Sequence, residues 1–94
     1  MSAYLQITLK ISDENRKAAT EVYSKYREPF LSKVPGAVSK ELLVRPEDVQ
    51  VLHRFESGTQ AADYLTSDFF ANEVVKDLKP LLEAQPEVRI YQLM

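Results

Sequence analysis

Histidine occurs once in this chain, at position 53. It is the only side chain whose ordinary pKa, ~6.5, allows proton transfer near neutrality without large tuning. His53 is therefore the first candidate for an acid or base, able to take a proton from a ligand hydroxyl if it faces a cavity. The alternative is a strand histidine hydrogen-bonded to a neighbour. Tyr64, Tyr91 and Tyr4 carry hydroxyls that could donate to a carbonyl or a developing oxyanion, or that simply pack at a subunit seam, the expected use of Tyr4. Phe55, Phe69 and Phe70 could wall a planar ligand, although core packing is the commoner use of such residues. Arg54 and Arg89 could hold a carboxylate or phenolate, or pair with Glu56 and Glu87 in solvent.

Composition narrows the chemistry further. The 94 residues, 28% charged and 45% hydrophobic with net charge −2, suit one small domain spanning 1–94. The absence of cysteine removes disulfides, thiol nucleophiles and thiolate zinc sites, and one histidine cannot make a multi-histidine metal centre. The acidic residues are scattered at helix starts and loops, so no hard-metal site is expected. Gly occurs twice, with no phosphate loop, GxGxxG or nucleophile elbow, so no nucleotide or flavin cofactor is expected either. Twelve basic against fourteen acidic residues leave no footprint for nucleic acid or an anionic membrane. No apolar run approaches the ~18 residues of a membrane span, and no signal peptide is read at the start, so the expected address is the cytoplasm.

The candidates need elements to hold them. Tyr4 to Ile11 alternates strictly, with Leu5, Ile7, Leu9 and Ile11 on one side and Tyr4, Gln6, Thr8 and Lys10 on the other, which predicts a strand. Ser12 is placed to cap a helix whose first turn holds Asp13 and Glu14, and whose apolar stripe is Ala19, Val22, Tyr23, Tyr26 and Phe30. Pro29 should kink or end it. After Pro35-Gly36, two strands from Val38 to Val44 and Val49 to Glu56 flank a short break, as in an antiparallel hairpin. Ser57 and Ser67-Asp68 open two further helical pieces, Pro80 bends the second, and Val88 to Leu93 closes the chain as a strand.

The order β-α-β-β-α-β is that of the ferredoxin-like α+β sandwich, a four-stranded antiparallel sheet with both helices on one face. Its other face is left uncovered. Tyr4, Gln6 and Thr8 should stand there, with one side of the last strand, Arg89, Tyr91 and Leu93. Val51, His53 and Phe55 share one face of the third strand, but the apolar pair Val51-Leu52 leaves open which. A face this aromatic and polar suits contact with a second subunit around a ligand.

Pro35-Gly36, the strand Val49 to Phe55, and Phe55-Glu56-Ser57-x-x-x-Ala61-x-x-Tyr64-Leu65-x-Ser67-x-Phe69-Phe70 resemble the antibiotic biosynthesis monooxygenase family of the dimeric α+β-barrel superfamily. The likeness runs from Leu5 to Tyr91. It implies a homodimer in which two sheets meet face to face as a barrel, and cofactor-independent monooxygenase chemistry on a small aromatic or quinol substrate. Residue by residue, Phe55 stands where the family has a pocket tryptophan and Tyr64 where a helix often carries histidine. The first strand offers Gln6 and Thr8 in place of the asparagine of haem-degrading relatives, so haem degradation is not implied. His53 and Tyr64 are then the catalytic candidates, with Gln6, Thr8, Phe55, Phe69 and Tyr91 contacting substrate. Two alternatives remain: a dimeric barrel that binds a small hydrophobic molecule without turnover, and a non-oxygenating enzyme of the isomerase type.

Overall fold

Alternation in the first strand builds the centre of the sheet. In a computed structural model covering all 94 residues, β1 (Ala3–Leu9) buries Ala3, Leu5, Ile7 and Leu9 and leaves Tyr4, Gln6 and Thr8 half-buried. Strands β2 (Ala37–Val44) and β3 (Val49–Phe55) form the hairpin, and β4 (Glu87–Gln92) closes the chain. All neighbours are antiparallel, in the order β2-β3-β1-β4. This is the ferredoxin-like α+β fold expected from the element order.

The register aligns residues in rows across all four strands. Lys40, His53, Leu5 and Ile90 share one row facing the helices, while Glu41, Leu52, Gln6 and Arg89 form the neighbouring row on the open face. An irregularity between Ala37 and Ser39 shifts β2 by one residue there. That bulge lets both Ala37 and Lys40 lie on the helix side.

The first helix starts later than expected and, of the two outcomes expected at Pro29, does not take the one that ends it. Ser12 makes no side-chain cap; it precedes a 3-10 turn at Asp13–Asn15, and α1 runs from Arg16 to Lys33. Pro29 lies inside α1 and does not end it. Continuing through proline costs about 3 kcal/mol, which the burial of Phe30 offsets: its ring is fully covered and lies 5.2 to 5.6 Å from those of His53, Tyr64 and Phe55. Gly36 follows with φ +80, a left-handed turn that β-carbon residues resist, and a Cβ there would meet the Gln60 side chain at 2.3 Å.

The serine caps form as read. Ser57 accepts from the Gln60 amide to open α2 (Gly58–Leu65), and Ser67 accepts from the Phe70 amide to open α3 (Asp68–Phe70). From there the chain continues as π-helical turns over Ala71–Leu78, then a 3-10 turn at Lys79–Leu81 that holds Pro80. The helices cover β1, β3 and the inner half of β2. They do not cover β4, where all six residues are exposed, including Val88 and Ile90 on the helix side.

Candidate functional site

The seven site candidates fall on opposite sides of the sheet. His53, Phe55, Tyr64 and Phe69 lie in the layer between sheet and helices, whereas Gln6, Thr8 and Tyr91 stand on the open face. The expectation of a single cavity on the open sheet face is therefore corrected. Val51, His53 and Phe55 pair in register with Ile7, Leu5 and Ala3, and so take the same buried side as those residues.

In the covered layer His53 is 1% exposed. Its Nδ1 donates to the Leu5 carbonyl at 3.2 Å, leaving Nε2 as a buried lone pair without a partner. Burial, helped by the nearby Lys40 charge, pushes its pKa down to about 3. At neutral pH the ring is an acceptor and a poor proton acquirer. Phe30, Phe55 and Tyr64 surround it with ring centroids 5.2 to 6.4 Å away.

Beside it lies a charge pair. Lys40 Nζ donates to Glu73 Oε2 at 2.5 Å, and the Tyr64 hydroxyl donates to Glu73 Oε1 at 3.1 Å. Lys40, Glu73 and Tyr64 are 0%, 1% and 2% exposed. The ammonium also sits 5.1 Å from the Phe30 ring centroid and 5.7 Å from that of Tyr23, whose hydroxyl donates to the Lys40 carbonyl. Burial lowers the Lys40 pKa while Glu73 opposes the shift; burial and the Glu73 charge raise that of Tyr64. The seam between His53, Glu73 and the aliphatic residues Ile7, Val51 and Leu78 has no room for a water molecule.

A cleft of about 390 Å³ reaches this layer from outside, lined by the end of α1 at Lys33 to Pro35, by Gln60, Asp63 and Tyr64 of α2, and by Ser67 and Phe69. It lies within the range of small-molecule sites. Tyr64 is the residue that both lines it and bonds the charge pair. A wider crevice of about 480 Å³ between Phe70, Val74, Leu82, Pro86 and Val88 holds none of the seven candidates. No three His, Asp or Glu side chains converge as a metal site would require.

On the open face Gln6 lies between Leu52 and Arg89, and Thr8 accepts from Gln50 Nε2 at 3.2 Å. Tyr91 pairs with Tyr4 and is 52% exposed. Arg54 lies 5.7 Å from the Tyr4 ring centroid and bonds Ser2, not Glu56, while Arg89 meets Glu87 at 3.5 Å in solvent.

Sequence reasoning missed Lys40 and Glu73. The available signal was parity: Lys40 alternates with Leu42 and Val44, and Glu73 lies three and four residues from Phe70 and Phe69 on the apolar stripe leading to Leu78.

This architecture is shared by many solved proteins. No family model and no curated protein matches the chain. A Bordetella bronchiseptica protein provisionally named an antibiotic biosynthesis monooxygenase matches with TM-score 0.85 at 13% identity, over 99% of this chain and 97% of its own. One with the same provisional name from Caulobacter crescentus gives 0.83 at 14%, covering 99% and 90%. A conserved protein from Methanosarcina mazei gives 0.82 at 18%, covering 98% and 92%. The class defined is thus the ferredoxin-like α+β sandwich. More particularly, the chain has the fold of proteins carrying the antibiotic biosynthesis monooxygenase name.

Proposed function

We propose that this chain is a cofactor-independent monooxygenase acting on a small aromatic or quinol-type molecule, and that it works as a homodimer. The observation that carries the reading is that Tyr64 joins a ligand-sized cleft to a dry layer holding Glu73, Lys40 and the unpartnered His53 nitrogen. A quinol supplies its own electrons: one oxygen atom of O₂ enters the product as a hydroxyquinone, and the other leaves as water with the two hydrogens lost. The protein must then bind the ring, help remove a hydroxyl proton and keep bulk water out. Phe69 and Tyr64 are the aromatic residues that line the cleft, and such a ring would pack beside them. The fold shared with proteins of the monooxygenase name supports the same reading.

The homodimer is supported by the uncovered face. Its central row reads Glu41, Leu52, Gln6, Arg89 from one edge to the other. A second copy turned about an axis parallel to the strands sets Glu41 against Arg89 of the partner subunit twice over, and Arg54 over Tyr4 of the partner subunit. An axis across the strands would instead oppose like charges. In the first arrangement Gln6, Thr8 and Tyr91 lie at the interface.

Oxygen uptake with reduced naphthoquinones and hydroxyanthraquinones tests the activity, with Tyr64→Phe expected to lose most of it. Stabilisation of the protein by these compounds on heating, with no uptake beyond a protein-free control, would instead favour the binding-barrel reading. Sedimentation as a monomer at micromolar concentration would remove the dimer.

A further inference from the structure

Lys40 and Glu73 are the costliest residues in the covered layer. Removing a lysine and a glutamate from water costs several kcal/mol per ion, and their attraction often fails to repay it. A pair of leucine-sized residues would fill the same space without that cost. The Tyr64 hydroxyl donates to Glu73 Oε1, whose Oε2 accepts from Lys40 Nζ, and Tyr64 is also one of the residues that line the cleft. Glu73 is supplied by the π-helical stretch, a rare widening of the helix often found at functional sites. His53, by contrast, does not line the cleft; its ring centroid lies 5.6 Å from that of Tyr64, its Nε2 is buried without a partner, and the seam it borders is closed to water.

We propose that Glu73, reached through Tyr64, is the proton acceptor of this site, and that Lys40 is the fixed counter-cation of the anion that results. The proposal rests on the cleft reading above and reassigns the base from His53. The O–H bond of a phenolic ligand breaks as its proton passes to Tyr64 Oη, and the proton of Tyr64 passes to Glu73 Oε1. The bonding pair stays on the ligand oxygen as phenolate. Net charge in the site is conserved: before transfer Lys40 balances Glu73, and after transfer it balances the phenolate. Negative charge moves outward across Tyr64 while the cation stays in place, in a layer where screening by water is absent. Tyr64 touches the ligand and Glu73 acts through it; Lys40 is a positioning and charge-balancing residue. The unpartnered His53 Nε2 is not needed in the transfer.

Alizarin, a hydroxyanthraquinone whose visible spectrum changes on ionisation, tests this without reference to turnover. It is mixed with the full chain at a pH one unit below its own first pKa in water. Wild type should bind it as the anion. Tyr64→Phe should bind it as the neutral phenol, the ratio of anion to phenol falling at least tenfold, and Lys40→Met should act in the same direction. Glu73→Gln, which leaves the Lys40 cation unpaired, should still bind the anion but release its proton to the solvent, whereas wild type keeps that proton on Glu73. A merely structural role would change affinity without changing the colour of what is bound. Neutral alizarin on wild type, or anion bound equally by wild type and Tyr64→Phe, overturns the relay and leaves the cleft reading intact. No binding to wild type overturns the cleft reading and the relay with it. Should Glu73→Gln fail to fold, Tyr64→Phe, which keeps the ring, decides alone.

Discussion

The two faces of the sheet come from the same alternating strands and handle charge in opposite ways. On the covered face Lys40 and Glu73 meet at 2.5 Å with no water between them, so their charges are balanced within one chain. On the open face Glu41 and Arg89 share a row but stand on opposite edge strands, three strand spacings apart. At roughly 4.8 Å per spacing that is about 14 Å, beyond a Debye length in physiological salt. Arg89 meets only Glu87 of its own strand, with both side chains 61% exposed, a contact worth little. The covered face therefore balances its charge internally, and the open face leaves Glu41 and Arg89 in solvent without each other.

The largest effect should come from breaking the covered pair. Glu73→Leu leaves Lys40 buried without a counterion, and a loss of about 3–5 kcal/mol of unfolding free energy is expected in urea titrations. Lys40→Met combined with Glu73→Leu removes both ions and should recover most of that loss. A single variant costing under about 1 kcal/mol would show that water reaches the pair, and the contrast between the faces would dissolve.

Next is the acid response of His53. Its folded pKa near 3 lies below the unfolded value of ~6.5, so between these values the unfolded chain takes up a proton that the folded chain refuses. Stability is fully present above about pH 6.5 and falls as pH drops, by up to about 1.4 kcal/mol per unit from this one group. His53→Phe should flatten that slope between pH 6.5 and 4 in denaturant titrations. An unchanged slope would place the histidine in contact with solvent. Tyr26 offers an independent check on the covered side: its hydrogen bond to Asp77 raises its pKa to about 12, so its absorbance should resist alkaline titration.

The same contrast explains what was legible in the sequence. The strand of Leu5, Ile7 and Leu9 and the caps at Ser57 and Ser67 were readable because alternation and capping are local rules. The side taken by His53 was not, because Val51 and Leu52 are apolar on consecutive positions and register with β1 decides it. That α1 runs on past Pro29 was not readable either, because the packing of Phe30 is a tertiary term that outweighs the local one. The site was half legible: Tyr64 and Phe69 do line a cleft, but its charged partners come from β2 and the π-helical stretch, more than thirty positions apart in the chain. No local pattern joins them.

The smallest effect belongs to the open face and tests whether its charges meet a partner. Glu41→Arg or Arg89→Glu alone should weaken self-association about tenfold, or about 1.4 kcal/mol, as read by sedimentation across a concentration series. Each change places like charges together at two symmetric positions. The double variant restores opposite signs with the roles reversed, so association should return to near the wild-type value. Raising the salt concentration should shrink the single-variant penalties, because these positions stay at the solvated rim. Recovery in the double variant cannot come from a general change in net charge, since the double variant carries the same net charge as wild type. Failure to recover, in a protein that still dimerises, would mean that the two sheets meet about a different axis.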